Sequence, residues 1–294
     1  MHLMTPRTLI TQPSRSYELL DSGEEMKLER FGDYILARPD PQALWKKRNP
    51  ALWKSARGTY QRKGNTGSWK MANGVPKSWS LEFEGLTLDI RPTSFKHVGL
   101  FPEQAPHWKW MTDRIYSAKR QVSILNLFAY TGGATLTAAK SGARVTHLDA
   151  SKSAVSWAKD NAKLSGCETM PIRWIVDDVV AFVKRELKRG EHYDGIVMDP
   201  PAFGHGPKGE LWKIEDHLVP LFESAFKLLS DDPLFFMISG YAEGYSSLVF
   251  KQNLDPLVTM YGGAIEHGEL TIQESESTRM LPCGVYARYA RSIS

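Results

Sequence analysis

The stretch from Val122 to Asp149, VSILNLFAYTGGATLTAAKSGARVTHLD, determines the fold that the sequence predicts. It consists of a buried strand (VSILNLF), a glycine-containing turn (AYTGG), a helix of small residues (ATLTAAKSG) and a second apolar strand (ARVTHLD). This succession is half of a doubly wound nucleotide-binding unit. Gly132 and Gly133 let a ligand approach the backbone N–H groups of the turn. Asp149 ends the second strand, where a carboxylate can accept both hydroxyls of a ribose.

The glycine pattern of this turn separates two classes of cofactor. A dinucleotide site uses G-x-G-x-x-G, so that the pyrophosphate can lie at the helix N-terminus. The turn AYTGGA supplies two adjacent glycines instead. We therefore expect S-adenosylmethionine, which carries no phosphate; an α/β sheet that binds nothing at this turn is the alternative.

The composition indicates a cytoplasmic protein with its own hydrophobic core. The chain has 294 residues, of which 42% are hydrophobic, and its net charge is +4. This length suits one large domain and one small domain. Cys167 and Cys283 lack the spacing of a metal site, and their scarcity fits either a reducing cytoplasm or an indifference to redox conditions. No apolar run approaches the roughly 20 residues of a membrane span, and residues 1 to 11 lack the apolar core of a signal peptide.

Residues 16 to 39, SYELLDSGEEMKLERFGDYILARP, predict short strands around the turn DSGEE. They form a small β-rich module at the beginning of the chain. Two interpretations of this module remain open. It either recruits the substrate or extends the sheet of the main domain.

Residues 45 to 79 form a segment, here called the basic segment, that contains nine Lys or Arg and no Asp or Glu. The cations alternate with Trp45, Trp53, Tyr60, Trp69 and Trp79. Cations that neutralise phosphates, mixed with rings that stack on unpaired bases, are typical of single-stranded RNA contact. We expect RNA contact through Arg57, Arg62, Lys63 and the neighbouring aromatic residues. The alternative is an irregular arm whose rings pack on the core while its cations are solvated.

The next part of the chain predicts further elements of the main domain. LEFEGLTLDI reads as one alternating strand, and the helix HWKWMTDRIYSAK leads into the strand at Val122. After Asp149, Ser151 caps a helix that ends at Gly166. The third strand, PIRWIVDD, ends at Asp177 and Asp178, where an acid can accept from an adenine amino group. We favour Asp178 because its neighbour would project to the opposite side; helix capping is the alternative for either residue.

The fourth strand, YDGIVMDPPAF, carries the residues expected to hold the methyl acceptor. Asp199, Pro200, Pro201 and Phe203 form D-P-P-x-F, in which two prolines fix a rigid turn. The turn can present carbonyls and Asp199 to an amino or ring nitrogen, and Phe203 can stack on an extruded base. A structural turn without chemistry is the alternative. The following loop, GHGPKGELWK, has the composition of a mobile lid or a surface excursion.

From about Leu81 onward the chain resembles the class I S-adenosylmethionine-dependent methyltransferases, over about two thirds of its length. The resemblance is closest to the branch of bacterial large-subunit ribosomal RNA methyltransferases that act at cytosine C5 or guanine N7. It rests on LNLFAYTGGATLTAAKSGA, HLDASKSAVSWAKDNAKLSG, DDVVAFV and MDPPAF. GLTLDIRPTSFKHVGLFPEQ is similar to a segment that lies against the cofactor in that branch. The resemblance implies an α/β fold, with a seven-stranded Rossmann-like sheet in residues 81 to 294 and the β-rich module in residues 1 to 80.

Two departures from that branch bear on the reaction. The family segment K-T-G-x-F-x-D-Q-R reads KHVGLFPEQA here, so its carboxylate is Glu103 and its arginine is missing. The C5 enzymes attack the pyrimidine with a thiolate that follows the fifth strand. This chain has MISGYAEG at that position, and neither Cys167 nor Cys283 replaces the thiol. The sequence therefore predicts methylation of a base nitrogen rather than of cytosine C5.

The resulting hypothesis is an enzyme that methylates a base nitrogen in structured, ribosomal RNA and that needs no metal. A protein or small-molecule methyltransferase, and an RNA-binding protein with a vestigial cofactor pocket, are the alternatives. The residues expected to contact the cofactor are Phe101, Asn126, Phe128, Ala129, Tyr130, Thr131, Gly132, Gly133, Asp149, Ala150, Ser151, Asn161, Asp177, Asp178 and Asp199.

Overall fold

A computed structural model describes residues 5–63, 66–241 and 244–292, with the backbone alone for Lys63 and Thr66. Within these ranges the chain divides into two compact units. The first unit comprises the residues up to Leu9, Pro106–Glu269 and the residues from Gly284 onward; the second comprises Ile10–Ala105 and Leu270–Cys283. The sequence places a boundary after residue 80, whereas these units divide after Ala105.

The described strands, in chain order, are β1 (Arg7–Thr11), β2 (Tyr17–Gly23), β3 (Met26–Phe31), β4 (Tyr34–Pro39), β5 (Gly58–Lys63), β6 (Thr66–Met71), β7 (Trp79–Phe83), β8 (Leu86–Ile90), β9 (Ser123–Leu127), β10 (Arg144–Asp149), β11 (Ile172–Val176), β12 (Gly195–Met198), β13 (Phe203–His205), β14 (Leu211–Lys213), β15 (Phe235–Gly240), β16 (Ala264–Gln273) and β17 (Met280–Ala290). The α-helices are α1 (Ala105–Ser117), α2 (Gly133–Lys140), α3 (Lys152–Leu164), α4 (Val179–Arg189), α5 (Ile214–Phe226) and α6 (Ser247–Tyr261). Short 3₁₀ helices lie at Leu52–Ser55 and Pro102–Gln104.

The large sheet has the strand order β1-β16-β17-β15-β12-β9-β10-β11, which is eight strands in the described part of the chain. The strands from β15 to β11 pair in parallel, and β17 is antiparallel to β15. The seven predicted strands are confirmed, and β1 joins the edge beside β16 as an eighth. Gly268 permits this pairing, because a Cβ there would overlap the backbone of Arg7. The mixed α/β fold that the sequence predicts is therefore confirmed.

Helices cover both faces of this sheet, because the side chains of its central strands alternate between two apolar clusters. Ile124 and Val197 contribute to a cluster that includes residues of α1 and α2. Leu125 and Ile196 contribute to a second cluster that includes residues of α4, α5 and α6. The central strands are consequently buried on both faces, as parallel strands covered by helices are.

The second unit contains the predicted β-rich module as a sheet of its own. The described strands of this sheet have the order β2-β3-β4-β5-β6, and its turns include Glu24 and Glu25 at positive φ. Strands β5 and β6 belong to the basic segment, so that segment is a β-hairpin over part of its length and not an irregular arm.

The prediction of one strand for LEFEGLTLDI is wrong. The segment forms a two-stranded hairpin, β7 and β8, in which Leu81 pairs with Leu88. Glu84 and Gly85 form the turn at φ values of 48° and 74°. Two consecutive residues at positive φ match a type I′ hairpin turn, which alternation of apolar residues alone does not reveal.

Candidate functional site

Four strands of the first unit end at one edge of the sheet, here called the carboxyl edge. Leu148 of β10 and Met198 of β12 are both register partners of Leu127 at the end of β9. Phe128, Asp149 and Asp199 are the next residues after these three register partners, so they lie at one level. In open α/β sheets ligands bind beyond the carboxyl ends of the strands.

Asp149 connects the turn after β9 to the beginning of α3. Its Oδ2 accepts from the backbone N–H of Tyr130 at 2.8 Å, and its Oδ1 accepts from the N–H of Ser151 at 2.8 Å. Burial raises the pKa of Asp149, and the two backbone N–H groups oppose that rise. The carboxylate is half-buried. Since each carboxylate oxygen has two lone pairs, each can also accept from a ribose hydroxyl.

The turn from Phe128 to Gly132 has an unusual backbone. Phe128, Tyr130 and Gly132 have φ values of 58°, 49° and 90°. A non-glycine residue in this region costs about 1 to 3 kcal/mol and occurs preferentially at ligand sites. Ala129 donates its backbone N–H to Leu148 O at 3.0 Å, which fixes the turn against β10.

Buried polar side chains support this turn from below. Asn161 of α3 is fully buried and donates Nδ2–H to Thr131 O at 2.9 Å. Asn126 donates to Thr135 Oγ1 at 2.9 Å, and Thr135 Oγ1 lies 2.9 Å from His147 Nδ1. Asn161 is therefore bonded to the turn, whereas Asn126 is bonded to α2. The contact of either residue with the cofactor remains a prediction.

The structure gives Gly133 a role that the sequence analysis did not identify. A Cβ at residue 133 would overlap the indole of Trp108, whereas a Cβ at Gly132 would lie 3.1 Å from Ala158 Cβ. Packing of α1 against the first turn of α2 thus requires glycine at residue 133. Trp108 was not predicted as part of the site.

Both acids after β11 have structural partners. Asp178 Oδ1 accepts from Ala181 N at 2.8 Å and caps α4. Asp177 Oδ1 accepts from the N–H of Asp178 at 2.9 Å, and its Oδ2 forms an ion pair with Arg185. The capping alternative is therefore present for Asp178, and adenine contact by either acid remains a prediction.

The D-P-P-x-F turn continues directly from β12. Asp199 is half-buried, Pro200 is buried, and Phe203 at the start of β13 is 56% exposed. The loop GHGPKGELWK, predicted as a mobile lid or a surface excursion, includes most of the antiparallel hairpin of β13 and β14. Its mobility remains a prediction. Phe203 is thus an exposed ring on a hairpin strand.

Trp212 of β14 anchors this hairpin, and the sequence analysis missed it. Its Nε1–H donates to Pro201 O at 2.7 Å, and its ring centroid lies 4.9 Å from that of Phe128. The indole is buried. Trp212 thus connects the D-P-P-x-F turn to the turn after β9. A tryptophan in a loop that otherwise contains mainly Gly, Pro and charged residues was the available signal.

The remaining predicted cofactor residues lie in two places. Ser151 Oγ accepts from Ala154 N at 3.2 Å and caps α3, as predicted; Ala150 precedes it and is half-buried. Phe101 belongs to the second unit, where its ring lies 5.1 Å from that of His97. Burial, and the charges of Arg38, Lys96 and Lys27, lower the pKa of His97 to about 3.

The residues at the carboxyl edge fit S-adenosylmethionine. A half-buried carboxylate with acceptor capacity suits the ribose hydroxyls. The turn from Phe128 to Gly132 brings the backbone close to that carboxylate, through the bond between Tyr130 and Asp149. S-adenosylmethionine carries no phosphate that would need to approach the backbone at residue 133. Gly133 can therefore pack against Trp108 without preventing cofactor binding.

Both cysteines are buried, each with 1% exposure. Burial raises the pKa of the Cys167 thiol, and it raises that of Cys283 well above its ordinary value. Their Sγ atoms lie 3.5 Å from Ser165 O and 3.4 Å from Leu281 O. Neither thiol is therefore available as a nucleophile in this structure.

The aromatic rings of the basic segment interact with their own unit. Tyr60 is buried and the four tryptophans are half-buried. Their polar atoms donate to protein acceptors: Trp45 to Ser22 O, Trp53 to Asp21 Oδ2, Tyr60 to Ser94 O, Trp69 to Thr93 O and Trp79 to Phe31 O. The structure therefore favours the packing alternative for these rings.

The cations of the segment are its exposed part. Arg57 and Arg62 are exposed, and Arg57 donates to Asn73 O at 3.0 Å. The side chain of Lys63 lies outside the described residues. Contact of these three residues with RNA remains a prediction.

Two kinds of feature are absent from the described residues. No group of three or more His, Cys, Asp or Glu among them could hold a metal ion. None of the helices described above is long and apolar enough to cross a membrane.

Comparison with known sequences identifies similar proteins. The family model of the S-adenosylmethionine-dependent methyltransferases matches residues 55–217, which is more than half of the chain. Ribosomal RNA large subunit methyltransferase K/L of Shewanella baltica is 29% identical over 210 residues, which cover 70% of this chain and 28% of that protein. Ribosomal RNA large subunit methyltransferase I of Aeromonas salmonicida is 41% identical over 124 residues, which cover 42% of this chain and 30% of that protein. The chain thus spans less than a third of the length of these two relatives.

A solved structure resembles nearly the whole chain. The crystal structure of an S-adenosylmethionine-dependent methyltransferase from Agrobacterium tumefaciens superimposes with a TM-score of 0.94 and 37% sequence identity. The match covers 98% of this chain and 95% of that one. It therefore includes residues of both compact units.

Proposed function

The chain belongs to the S-adenosylmethionine-dependent methyltransferases, and we propose that it methylates a base nitrogen in structured ribosomal RNA. The names of the relatives, large-subunit ribosomal RNA methyltransferases, support RNA as the substrate. S-adenosylmethionine supplies an electrophilic methyl group on a sulfonium. The residues of this chain would hold the donor and the acceptor in line and exclude water.

The observation that carries the choice of nitrogen is the burial of both thiols. A pyrimidine carbon is a weak nucleophile and needs a covalent adduct with a thiolate before it can be methylated. Cys167 and Cys283 are each 1% exposed, with raised pKa values. A ring or amino nitrogen brings its own lone pair and has no such requirement.

The carboxyl edge suggests a role for each group. Asp149 would accept the ribose hydroxyls with the lone pairs that Tyr130 and Ser151 leave unused. Asp178, although it caps α4, would accept from the adenine amino group with its second oxygen. The two acids would thereby orient the cofactor from neighbouring strand ends.

The acceptor base would lie at the D-P-P-x-F turn. Asp199 and the carbonyl of Pro200 would accept from an amino group or a ring N–H of the base, and Phe203 would stack on the extruded base. Phe203 suits this role because its ring is 56% exposed. The hairpin to which it belongs is held to the D-P-P-x-F turn by the hydrogen bond from Trp212 to Pro201 O. A base that is held in line needs no strong general base.

Two variants and a mechanism-based probe test this proposal. We expect the double variant Cys167→Ser, Cys283→Ser to keep near-parental turnover, and Asp199→Ala to lose about a hundredfold through misplacement of the acceptor. RNA that contains 5-fluorocytosine should form no stable covalent complex, since such a complex requires a thiolate. An adduct at either cysteine would overturn the nitrogen assignment and favour cytosine C5.

The same preparations separate RNA from other acceptors. Transfer of labelled methyl groups to ribosomal RNA, and not to protein, is the expected result. Labelling of a protein in the absence of RNA would favour the alternative protein methyltransferase.

A further inference from the structure

The loop between β8 and the 3₁₀ helix at Pro102–Gln104 presents one aromatic ring to solvent. Phe95, near the middle of this loop, is 71% exposed. Contiguous apolar patches on a surface indicate a partner, whereas single exposed apolar side chains are common. An isolated exposed ring needs no explanation by itself, so the construction of the loop around it decides whether it has a role.

The loop is closed by its own hydrogen bonds. Arg91 donates its backbone N–H to Val98 O at 3.0 Å and closes the base of the loop. Thr93 Oγ1 lies 3.1 Å from Phe95 O and 3.0 Å from His97 O, and it accepts from the backbone N–H of Phe95 at 3.2 Å. The backbone N–H of Phe95 is therefore bonded to this hydroxyl, whose single proton is shared between the carbonyls of Phe95 and His97.

Two rings of the basic segment attach this loop to β5 and β6. Tyr60 donates its hydroxyl to Ser94 O at 3.1 Å, and Trp69 donates Nε1–H to Thr93 O at 2.7 Å. Tyr60 and Trp69 are register partners, with ring centroids 5.5 Å apart. Side chains of β5 and β6 thus form hydrogen bonds with the carbonyls of Thr93 and Ser94, the two residues that immediately precede Phe95. An ordered backbone lowers the entropy that Phe95 loses when a ligand stacks on it.

Positive charge surrounds the same loop. Lys96 follows Phe95, and the carbonyl of Lys96 accepts from Arg38 at 3.2 Å. Burial lowers the pKa of Lys96, and Lys27, Arg38 and Arg62 lower it further, although Asp40 opposes them. Arg62 is exposed and lies on β5, two residues after Tyr60, whose hydroxyl donates to Ser94 O of this loop. An anion bound near Lys96 and Arg62 would relieve this repulsion.

From this arrangement we infer that Phe95 stacks on an unpaired base of the RNA substrate while Lys96 and Arg62 contact the adjacent phosphate. The inference rests on the proposed function, because it names a contact for the proposed RNA. Aromatic faces beside cations are the usual means of binding single strands without reading their sequence. Phe95 would perform the stacking that the sequence analysis assigned to the aromatic residues of the basic segment.

The charge of the loop favours RNA over a protein partner. A nucleic acid offers a phosphate and a flat base in every residue, which matches a ring beside two cations. A purely apolar partner surface would offer no negative group to Lys96 and Arg62. Selective binding of a protein is therefore an outcome that would contradict the inference.

The test is a binding titration with a labelled single-stranded RNA of about 12 nucleotides and mixed sequence, a length within the range for such sites. We expect Phe95→Ala to weaken binding by about fivefold to a hundredfold, since stacking on one base contributes that much. Phe95→Tyr keeps the flat ring and should retain affinity. Phe95→Leu keeps an apolar side chain but not the ring, and should lose affinity nearly as Phe95→Ala does.

Two controls separate stacking from other effects. Tyr116→Ala removes a ring that is 63% exposed on α1 and should leave the affinity unchanged. Lys96→Ala should reduce the slope of log affinity against log salt by about 0.7, whereas Phe95→Ala should leave that slope unchanged. Matching melting temperatures of all variants confirm that each is folded.

The outcomes distinguish this inference from the proposed function. If the parent binds the RNA and Phe95→Ala binds equally well, the inference is wrong and the proposed function stands. Equal affinity of the parent and Phe95→Leu would likewise exclude stacking. If the parent binds neither this RNA nor ribosomal RNA, both the inference and the proposed function are wrong.

Discussion

The backbone N–H of Tyr130 donates to Asp149 Oδ2 at 2.8 Å, so the turn after β9 is bonded to the last residue of β10. Tyr130 has a φ of 49°, a conformation that costs free energy unless its surroundings enforce it. Asp149 provides part of that enforcement. The residue proposed to accept the ribose hydroxyls therefore also shapes the backbone beside it.

We predict that Asp149→Ala weakens binding of S-adenosylmethionine tenfold or more. The substitution removes two charge-assisted hydrogen bonds to the ribose, each with about 1.5 to 3 kcal/mol, and it frees the N–H groups of Tyr130 and Ser151. Isothermal calorimetry measures the dissociation constant. Asp113→Ala on α1, which removes an exposed acid, is the matched control and should bind as the parent does. An unchanged constant for Asp149→Ala would mean that the ribose lies elsewhere.

Trp212→Phe should lower the rate of methyl transfer about tenfold while the affinity for the cofactor changes little. The ring remains beside Phe128, but the donor to Pro201 O is lost, so the D-P-P-x-F turn loses its anchor. Trp212 acts in this account as a positioning residue. Steady-state kinetics and calorimetry on one preparation provide both values. Equal losses in rate and cofactor affinity would show that the indole supports the whole site and not the acceptor turn.

Gly133→Ala should destabilise the first unit by about 1 to 3 kcal/mol, because the new Cβ overlaps Trp108. The loss should shrink when Trp108 is first replaced by Leu, which makes the pair a double-mutant cycle. Denaturant unfolding measures the four free energies. If Gly133 serves ligand approach instead, Gly133→Ala will weaken cofactor binding equally in both backgrounds and leave the cycle without coupling.

The residues around Asp149 could be predicted from the sequence because they depend on local order along the chain. Strand, turn, helix and capping residue follow one another within 30 positions, and each has its own pattern. The contact between Gly133 and Trp108 joins residues on different helices, so no pattern along the chain reveals it. The same reason explains why Trp212 was missed.

The basic segment shows a different limit of sequence analysis. Its composition predicted RNA contact, with solvated cations as the alternative, but could not show where the rings point. Tyr60 and Trp69 bind carbonyls more than 20 positions away, at Ser94 and Thr93, and such contacts depend on tertiary structure. Phe95, in contrast, was quoted within a family motif and received no role, because burial cannot be read from one residue.

Changing Arg57, Arg62 and Lys63 together to Ala should weaken RNA binding and leave cofactor affinity unchanged. Each lost phosphate contact reduces the slope of log affinity against log salt by about 0.7 to 0.9. A salt titration of the triple variant and the parent measures the difference. Identical salt slopes for the triple variant and the parent would show that these cations are solvated and do not contact phosphates.

The lowered pKa of Glu29 predicts that the free energy of unfolding of the second unit decreases at acidic pH. Burial opposes its charge, but Arg38 and Lys27 outweigh that effect and lower the pKa from 4.5 to about 2. Arg38 Nε lies 2.6 Å from Glu29 Oε2, and Tyr17 donates to Oε1 at 2.8 Å. Because the folded pKa is depressed, the stabilisation is present above pH 4.5 and is lost as the pH falls toward 2.

The free energy of unfolding should therefore fall by about 1.4 kcal/mol per pH unit through this group below pH 4.5. Glu29→Gln should lower stability near neutral pH and remove this component of the slope. Glu82→Gln, an exposed substitution in the same unit, should change neither. Denaturant titrations between pH 6 and 3 measure these slopes, and a parental slope in Glu29→Gln would rule out this assignment.

The central claim is that this methyltransferase modifies a nitrogen of a ribosomal RNA base. Mass spectrometry of nucleosides from ribosomal RNA, purified from cells with and without this gene, tests it most directly. The account predicts that one nucleoside methylated on a base nitrogen disappears when the gene is absent and returns with the parental protein, but not with Asp199→Ala. Loss of 5-methylcytidine instead, or ribosomal RNA with an unchanged set of modified nucleosides, would contradict it.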